Sequence, residues 1–182
     1  MKHIWICRHP PTQSDGLCIG QSIVPITMTW DEAAKRVLES TPITPTEIWT
    51  SELPRCHTLA KLCAQSWRLP VQVDPALREI SMGAWQGKSY DNLQKFDTKR
   101  WEEWCADWKC VIPPDGENLT MLRYRVEAWL SQTRLSATPV LIAHAGVVRT
   151  LRVLGGLSWD EAMSTPVPHL TWERIGVPNG EE

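Results

Sequence analysis

No stretch of this 182-residue sequence stays apolar for long enough to cross a bilayer. The longest candidate, 139–145, has the length of a strand. The opening MKHIWICRHPP lacks the layout of a signal peptide, because its apolar stretch is short and reads as a strand. The expectation is a cytoplasmic protein with no membrane partner. An excess of basic charge is also missing: 19 Lys and Arg stand against 21 Asp and Glu, for a net charge of -2. That balance excludes a generally basic nucleic-acid binder, while a local anion pocket can still hide inside it. The six cysteines, at 7, 18, 56, 63, 105 and 110, contain no CxxC pair. They do not make a dense disulfide scaffold, and reduced thiols are expected. Cys105 and Cys110 are loosely spaced and have no companion pair, so no metal site is expected there. There is no internal repeat and no low-complexity segment.

What is present is an ordinary globular composition, with 42% hydrophobic and 22% charged residues. A chain of this length buries roughly two thirds of its unfolded surface, which argues against disorder. It corresponds to one domain, 1–182, with 79–118 as a helical insertion or lid. Strands are expected at 3–8 (HIWICR), 47–51, 71–74 and 139–143 (PVLIA), with an alternating edge or returning strand at 169–177. Helices are expected from 29 or 30 to 39, from 54 to 67, from 119 to about 136 and from 146 to 154. Shorter helical pieces fall after Ser89, over 97–108 and near 160–163, and residues 10–29 form a loop. Strands alternating with helices imply an α/β three-layer sandwich, a mostly parallel sheet with helices on both faces. The nearly unbroken apolar run at 139–143 marks a central strand. Most of the eleven tryptophans read as packing residues, since a nucleic-acid stacking surface would need accompanying basic clusters.

In open α/β sheets, ligands sit beyond the carboxyl ends of the strands. Three such ends carry chemistry: Arg8-His9 after the first strand, Ser51 and Arg55 after the second, and His144 after the apolar strand. Two guanidinium forks suit the oxygens of a phosphoryl group. One histidine among them can attack phosphorus, and a second can donate a hydrogen bond to its oxygens. Each residue alone reads equally well as a solvated or structural one; the shared placement at strand ends is the signal. Thr12 and Ser51 either add hydrogen bonds to phosphate or serve as turn and cap residues. His57 reads as structural or rim, Arg149 as the partner of a carboxylate beyond the pocket, and His169 as a remote candidate for substrate contact. Glu117 either caps the long helix or lines the entrance.

Five segments, in order, resemble the histidine phosphatase (phosphoglycerate mutase-like) superfamily: HIWICRHPPT, WTSELPRCHTLA, LREISMGAWQG, PPDGENL and VLIAHAGVVRTL. They span residues 3–154, and as a set they are specific. The family's Arg-His-Gly stands here as Arg8-His9-Pro10, so the turn after the histidine is stiffer. The resemblance implies that His9 is a nucleophile that carries a transient phosphoryl group. Arg8, Arg55 and His144 would hold the phosphoryl oxygens, and Glu79 would protonate the leaving oxygen and later activate water. It further implies no metal and no cofactor, because arginines and histidines do the clamping that Mg²⁺ does in kinases.

The mutases of this family usually carry an added segment that is absent here, so the resemblance favours hydrolysis over transfer back to substrate. The loop GLCIGQSIVPI, 16–26, and the HAGVVR segment are similar to the alpha-ribazole phosphatase group. Ile19 stands where an aromatic residue is usual, and Ile23 where an aspartate is usual. That branch implies alpha-ribazole 5'-phosphate, from cobalamin biosynthesis, as the small-molecule phosphomonoester. Ile19, Gly20, Trp85 and Glu117 would then lie on the substrate side, with an apolar wall for the flat dimethylbenzimidazole ring. The alternatives are a general phosphatase of sugar phosphates, phosphoglycerates or nucleotides, a mutase, and a phosphate-ligand binding module without turnover. Oligomeric state is open between monomer and homodimer.

Overall fold

The computed structural model describes residues 2–178. The run HIWIC inside strand β1 (Lys2–Arg8) sends Ile4 and Ile6 to one face and Cys7 to the other, as the two-residue period of a strand requires. The chain continues through α1 (Trp30–Ser40), β2 (Glu47–Thr50), α2 (Pro54–Trp67) and β3 (Val71–Val73). Then follow α3 (Tyr90–Phe96), α4 (Thr98–Ala106), α5 (Leu119–Gln132), β4 (Pro139–Ala143), α6 (Ala145–Leu154), α7 (Trp159–Ser164) and β5 (Trp172–Val177). The strands form one sheet in the order β3-β2-β4-β1-β5. The first four are mutually parallel, and β5 runs antiparallel along β1. Among the described residues no helix is long and apolar enough to cross a membrane.

All five residues of β4 are buried, because helices cover both faces of the sheet. On one face Ile4, Ile6, Leu141 and Ala143 pack against Leu122, Val126 and Trp129 of α5 and Val147 and Leu151 of α6. On the other, Cys7, Ile48, Val140 and Ile142 meet Ala33 and Val37 of α1 and Cys56, Leu59, Ala60 and Cys63 of α2. The expected three-layer α/β sandwich is the fold. A third, smaller cluster of Cys18, Met82, Trp85 and Leu93 lies apart, under α3 and α4.

Three local expectations shift. The helix α5 ends at Gln132 rather than near 136, because Thr133 turns to an extended conformation and closes the helix with its own N–H on Trp129 O. The 97–108 segment is helical only from Thr98 to Ala106, and Asp97 ends α3 as well as opening α4. The stretch 75–85 holds two short 3-10 turns, Pro75–Leu77 and Gly83–Trp85. Gly83 is required at the second: its φ is +52°, and a Cβ there would lie 2.0 Å from Pro114 O. Its neighbour Ala84 donates to that carbonyl at 2.7 Å, which joins the 83–85 turn to the 113–116 turn.

The loop between α7 and β5 is held by Arg152, buried on α6. Its guanidinium pairs with Glu173 at 2.7 and 2.8 Å and donates to the carbonyls of Thr165 and Pro166, each at 2.9 Å. Replacing Arg152 with Met strands Glu173 and both carbonyls. The expected cost is about 3 kcal/mol, read from urea unfolding of Arg152→Met.

Candidate active site

The carboxyl ends of β1, β2 and β4 bring the expected residues together. His9 continues the sheet, with its N–H on Ala143 O at 3.0 Å, and its side chain is buried. Its Nδ1 donates to Pro10 O at 2.7 Å, so the lone pair of the neutral ring sits on Nε2. Burial first, then the positive charge of Arg55 and Arg8, holds its pKa well below the usual histidine value. The ring is therefore neutral and nucleophilic near neutrality.

Arg8 and Arg55 are anchored by main-chain carbonyls, not by carboxylates. Arg8 donates to Val167 O at 2.8 Å, and its Nε is buried with no protein partner. Pro54 opens α2, which suits its missing N–H, and puts Arg55 in the first turn. Arg55 donates to Gly20 O at 2.7 Å and Ser22 O at 2.8 Å, fastening the 10–29 loop over the sheet end.

His144 is the N-cap residue of α6 and is completely buried. Its ring centroid lies 5.3 Å from that of His9, and its Nε2 is 2.8 Å from Ser51 Oγ and 3.3 Å from Cys56 Sγ. Burial, His9 and Arg55 push its pKa well down. Ser51 thus holds a histidine one layer behind the cavity wall instead of facing the cavity itself. His169 flanks His9 on another side, at 5.3 Å between ring centroids, and its Nδ1 donates to His9 O at 2.6 Å. It braces the main chain of His9, a contact no sequence pattern announces.

The Glu79 carboxylate accepts from the N–H groups of Ile80 at 2.9 Å and Gly146 at 3.1 Å. A Cβ at position 146 would stand 2.2 Å from Glu79 Oε1, so this contact needs glycine at 146. The segment that carries Glu79 is fixed by Arg125 on α5, which donates to the carbonyls of Ala76, Arg78 and Glu79 at 2.7–2.9 Å and pairs with Glu117 at 2.8 Å. Gln21 adds a bond from its side chain to Glu79 O at 2.9 Å. Sequence reasoning missed both. The only sign of Arg125 was a charged residue at the edge of the buried stripe of α5.

These groups open on a cavity of about 630 Å³. Arg8, His9, Thr12, Arg55 and Glu79 line its floor, with Ile19 and Gly20 at one side. Trp104, Trp108, Trp159, Met82, Leu119 and Met163 give it an apolar wall. Thr12 spends its hydroxyl proton on Ser14 Oγ at 3.0 Å.

Five expectations about individual residues need correction. His144, expected at the phosphoryl oxygens, does not line the cavity: it is fully buried behind the wall with its Nε2 at Ser51 Oγ. Trp85 is not on the wall: it is buried, its Nε1 donates to Asp97 at 2.8 Å, and it meets Trp101 and Trp104 edge-on. Glu117 does not line the entrance, because its carboxylate is engaged by Arg125 and by the N–H of Ser81. Ser51, as described, serves His144. Arg149 lines the cavity and forms no ion pair among the described residues, so it is neither remote nor matched with a carboxylate. His57 stays away from the cavity. Among the described residues no group of three or more His, Cys, Asp or Glu is placed to hold a metal ion.

The pattern of the Histidine phosphatase superfamily (branch 1) matches residues 4–181. An adenosylcobalamin/alpha-ribazole phosphatase of Escherichia coli K12 is 31% identical over 160 residues, covering 84% of this chain and 79% of that protein. The crystal structure of the alpha-ribazole phosphatase from Shigella flexneri superposes with a TM-score of 0.86 at 26% identity, covering 97% of this chain and 91% of that one. At 20% identity, Bacillus stearothermophilus YhfR shares the fold, with a TM-score of 0.81 over 99% of this chain and 93% of that one.

Two outcomes follow from this geometry. Arg125→Leu leaves the carbonyls of Ala76 and Arg78 without a side-chain donor and Glu79 O with Gln21 alone, so amide hydrogen exchange over 77–81 is expected to accelerate more than at any strand of the sheet. His9 and His144 resist protonation when folded and regain an ordinary pKa near 6.5 when unfolded. Below that pH the unfolded chain binds protons that the folded chain refuses. Stability is therefore expected to fall from pH 7 to pH 5.5, at up to about 1.4 kcal/mol per pH unit for each histidine. A urea midpoint that does not move over this range would contradict the buried, neutral pair.

Proposed function

The chain belongs to the histidine phosphatase superfamily, branch 1, and from that membership we propose that it hydrolyses small-molecule phosphomonoesters through a phosphohistidine formed on His9. The observation that carries this reading is the hydrogen bond from His9 Nδ1 to Pro10 O, which leaves Nε2 free in a buried site between two guanidiniums. In the first step the Nε2 lone pair attacks phosphorus as the bond from phosphorus to the ester oxygen breaks. Arg8 and Arg55 offset the charge on the phosphoryl oxygens, and His144, in ring contact with His9 from one layer behind the cavity wall, holds the His9 ring in place. Glu79 gives its proton to the departing oxygen, which leaves as the alcohol. In the second step Glu79, now ionised, takes a proton from a water molecule while the water oxygen attacks phosphorus. The bond from phosphorus to His9 breaks, and inorganic phosphate is released. The positive charge comes from the arginines, and the scheme uses no metal ion.

The finer reading is alpha-ribazole 5'-phosphate as substrate, in cobalamin biosynthesis. It is supported by the names of the Escherichia coli and Shigella relatives and by the tryptophan wall of the cavity, which suits a flat aromatic base. Trp104 and Trp108 take the role the sequence suggested for Trp85, and Ile19 and Gly20 line the same cavity. The segment 79–118, which carries α3 and α4, is proposed as a lid over this part of the cavity.

The test has three parts. Turnover of an aryl phosphate in EDTA is expected for the wild type and should fall at least a thousandfold in His9→Ala. Acid-quenched enzyme incubated with labelled substrate should carry the label on His9. Glu79→Gln should slow alkyl phosphates at least a hundredfold and p-nitrophenyl phosphate far less, because nitrophenolate leaves without a proton. Phosphate binding with no turnover at any pH would instead make the protein a binding module. A rate for alpha-ribazole 5'-phosphate no higher than for sugar phosphates and nucleotides would leave a general phosphatase.

A further inference from the structure

Six arginines are at least partly buried around the sheet end, and five are spent. Arg78 pairs with Glu52. Arg8 donates to Val167 O, and Arg55 to the carbonyls of Gly20 and Ser22. Arg125 and Arg152 each combine one carboxylate with main-chain carbonyls. Arg149 differs from all of them. It is half-buried on the cavity wall, makes no side-chain hydrogen bond and no ion pair among the described residues, and its Nε is shielded from water with nothing to bond. A guanidinium carries five N–H donors, and leaving them desolvated and unmatched is costly.

The place of Arg149 is set by helix geometry. Gly146, whose N–H holds Glu79, and Arg149 are three residues apart on α6 and so lie on one face of it. Both line the cavity, as do Trp159 and Met163 of α7. Arg149 therefore shares the Glu79 side of the cavity: the Glu79 charge is felt at Arg149, and the Arg149 charge at Arg8.

The charge count points the same way. Three arginines, 8, 55 and 149, and one carboxylate, Glu79, line the cavity, and His9 is neutral. A phosphomonoester dianion offsets two of the three cations. When Glu79 holds the proton it is to donate, one cation is left over, and it is the arginine with no partner.

We propose that Arg149 forms a second anion subsite in the cavity and selects phosphomonoesters whose alcohol portion carries a further oxyanion, such as a carboxylate or second phosphoryl group. A guanidinium matches such groups with two parallel hydrogen bonds. The subsite goes beyond the hydrolase reading and requires only that a phosphate bind at Arg8 and Arg55.

The test uses non-hydrolysable ligands, so it stands whether or not the protein turns substrates over. Binding of 3- and 4-carboxybenzylphosphonate to the full chain is measured by calorimetry against the carboxamides of the same shape. The wild type is expected to bind one carboxylate isomer about tenfold or more tighter than its carboxamide. Arg149→Met should erase that preference while leaving carboxamide binding within about threefold, and Arg149→Lys should keep part of it. No preference in either isomer pair would overturn the subsite. So would an Arg149→Met variant that weakens both members of a pair equally.

Discussion

The centre of this structure is held by guanidinium groups aimed at main-chain carbonyls. Arg55 fixes the 10–29 loop through Gly20 and Ser22, Arg8 reaches the 165–167 turn, and Arg125 grips 76–79. Arg152 supports the same turn that receives Arg8. Each bond does two things at once. It orders a loop that lacks its own ladder of hydrogen bonds and, at Arg8 and Arg55, it orients a planar cation without neutralising it, whereas Arg125 and Arg152 are also matched by Glu117 and Glu173. A carboxylate partner would have cancelled the positive charge that an incoming phosphate needs. A carbonyl leaves that charge available.

The histidines obey the complementary constraint. His9 and His144 are buried beside these cations, so both are driven to the neutral form. Main-chain and hydroxyl partners, Pro10 O for His9 and Ser51 Oγ for His144, decide how the rings sit. A stiff Pro10-Pro11 turn in place of the family's glycine is compatible with this, because the required contact is a carbonyl, which proline retains.

The apolar half of the cavity draws on two cores, Leu119, Trp108 and Trp159 from the main one and Met82 and Trp104 from the small cluster under α3 and α4. Trp85 is buried there, bonded to Asp97, with Trp101 and Trp104 packed on its ring. Trp101 and Trp104 stack on each other with centroids 5.4 Å apart. Trp104, packed edge-on against Trp85, also lines the cavity. Across the cavity, Lys109 and Asp160 pair at 2.5 Å, joining the end of the α4 region to α7 next to Trp108 and Trp159.

The sequence by itself determined the layered α/β fold and the floor of the site. Apolar strands of period two, helices of period 3.6 and the chemistry at three strand ends are local patterns, and they placed Arg8, His9, Arg55 and His144 at one edge before any coordinates. The resemblance of five ordered segments added Glu79. What only the tertiary structure decided is which side chains face the cavity and which stand behind it. Trp85, Ser51 and Glu117 share segments with site residues, yet each turns away to satisfy a buried partner. Arg149 read as the partner of a carboxylate beyond the pocket and instead lines the cavity, and Arg125 works through carbonyls nearly fifty residues distant in sequence. Periodicity tells a residue's face on its own element. It does not tell what another element brings to that face, and a buried hydrogen-bonding group is settled only when its partner from elsewhere in the chain arrives.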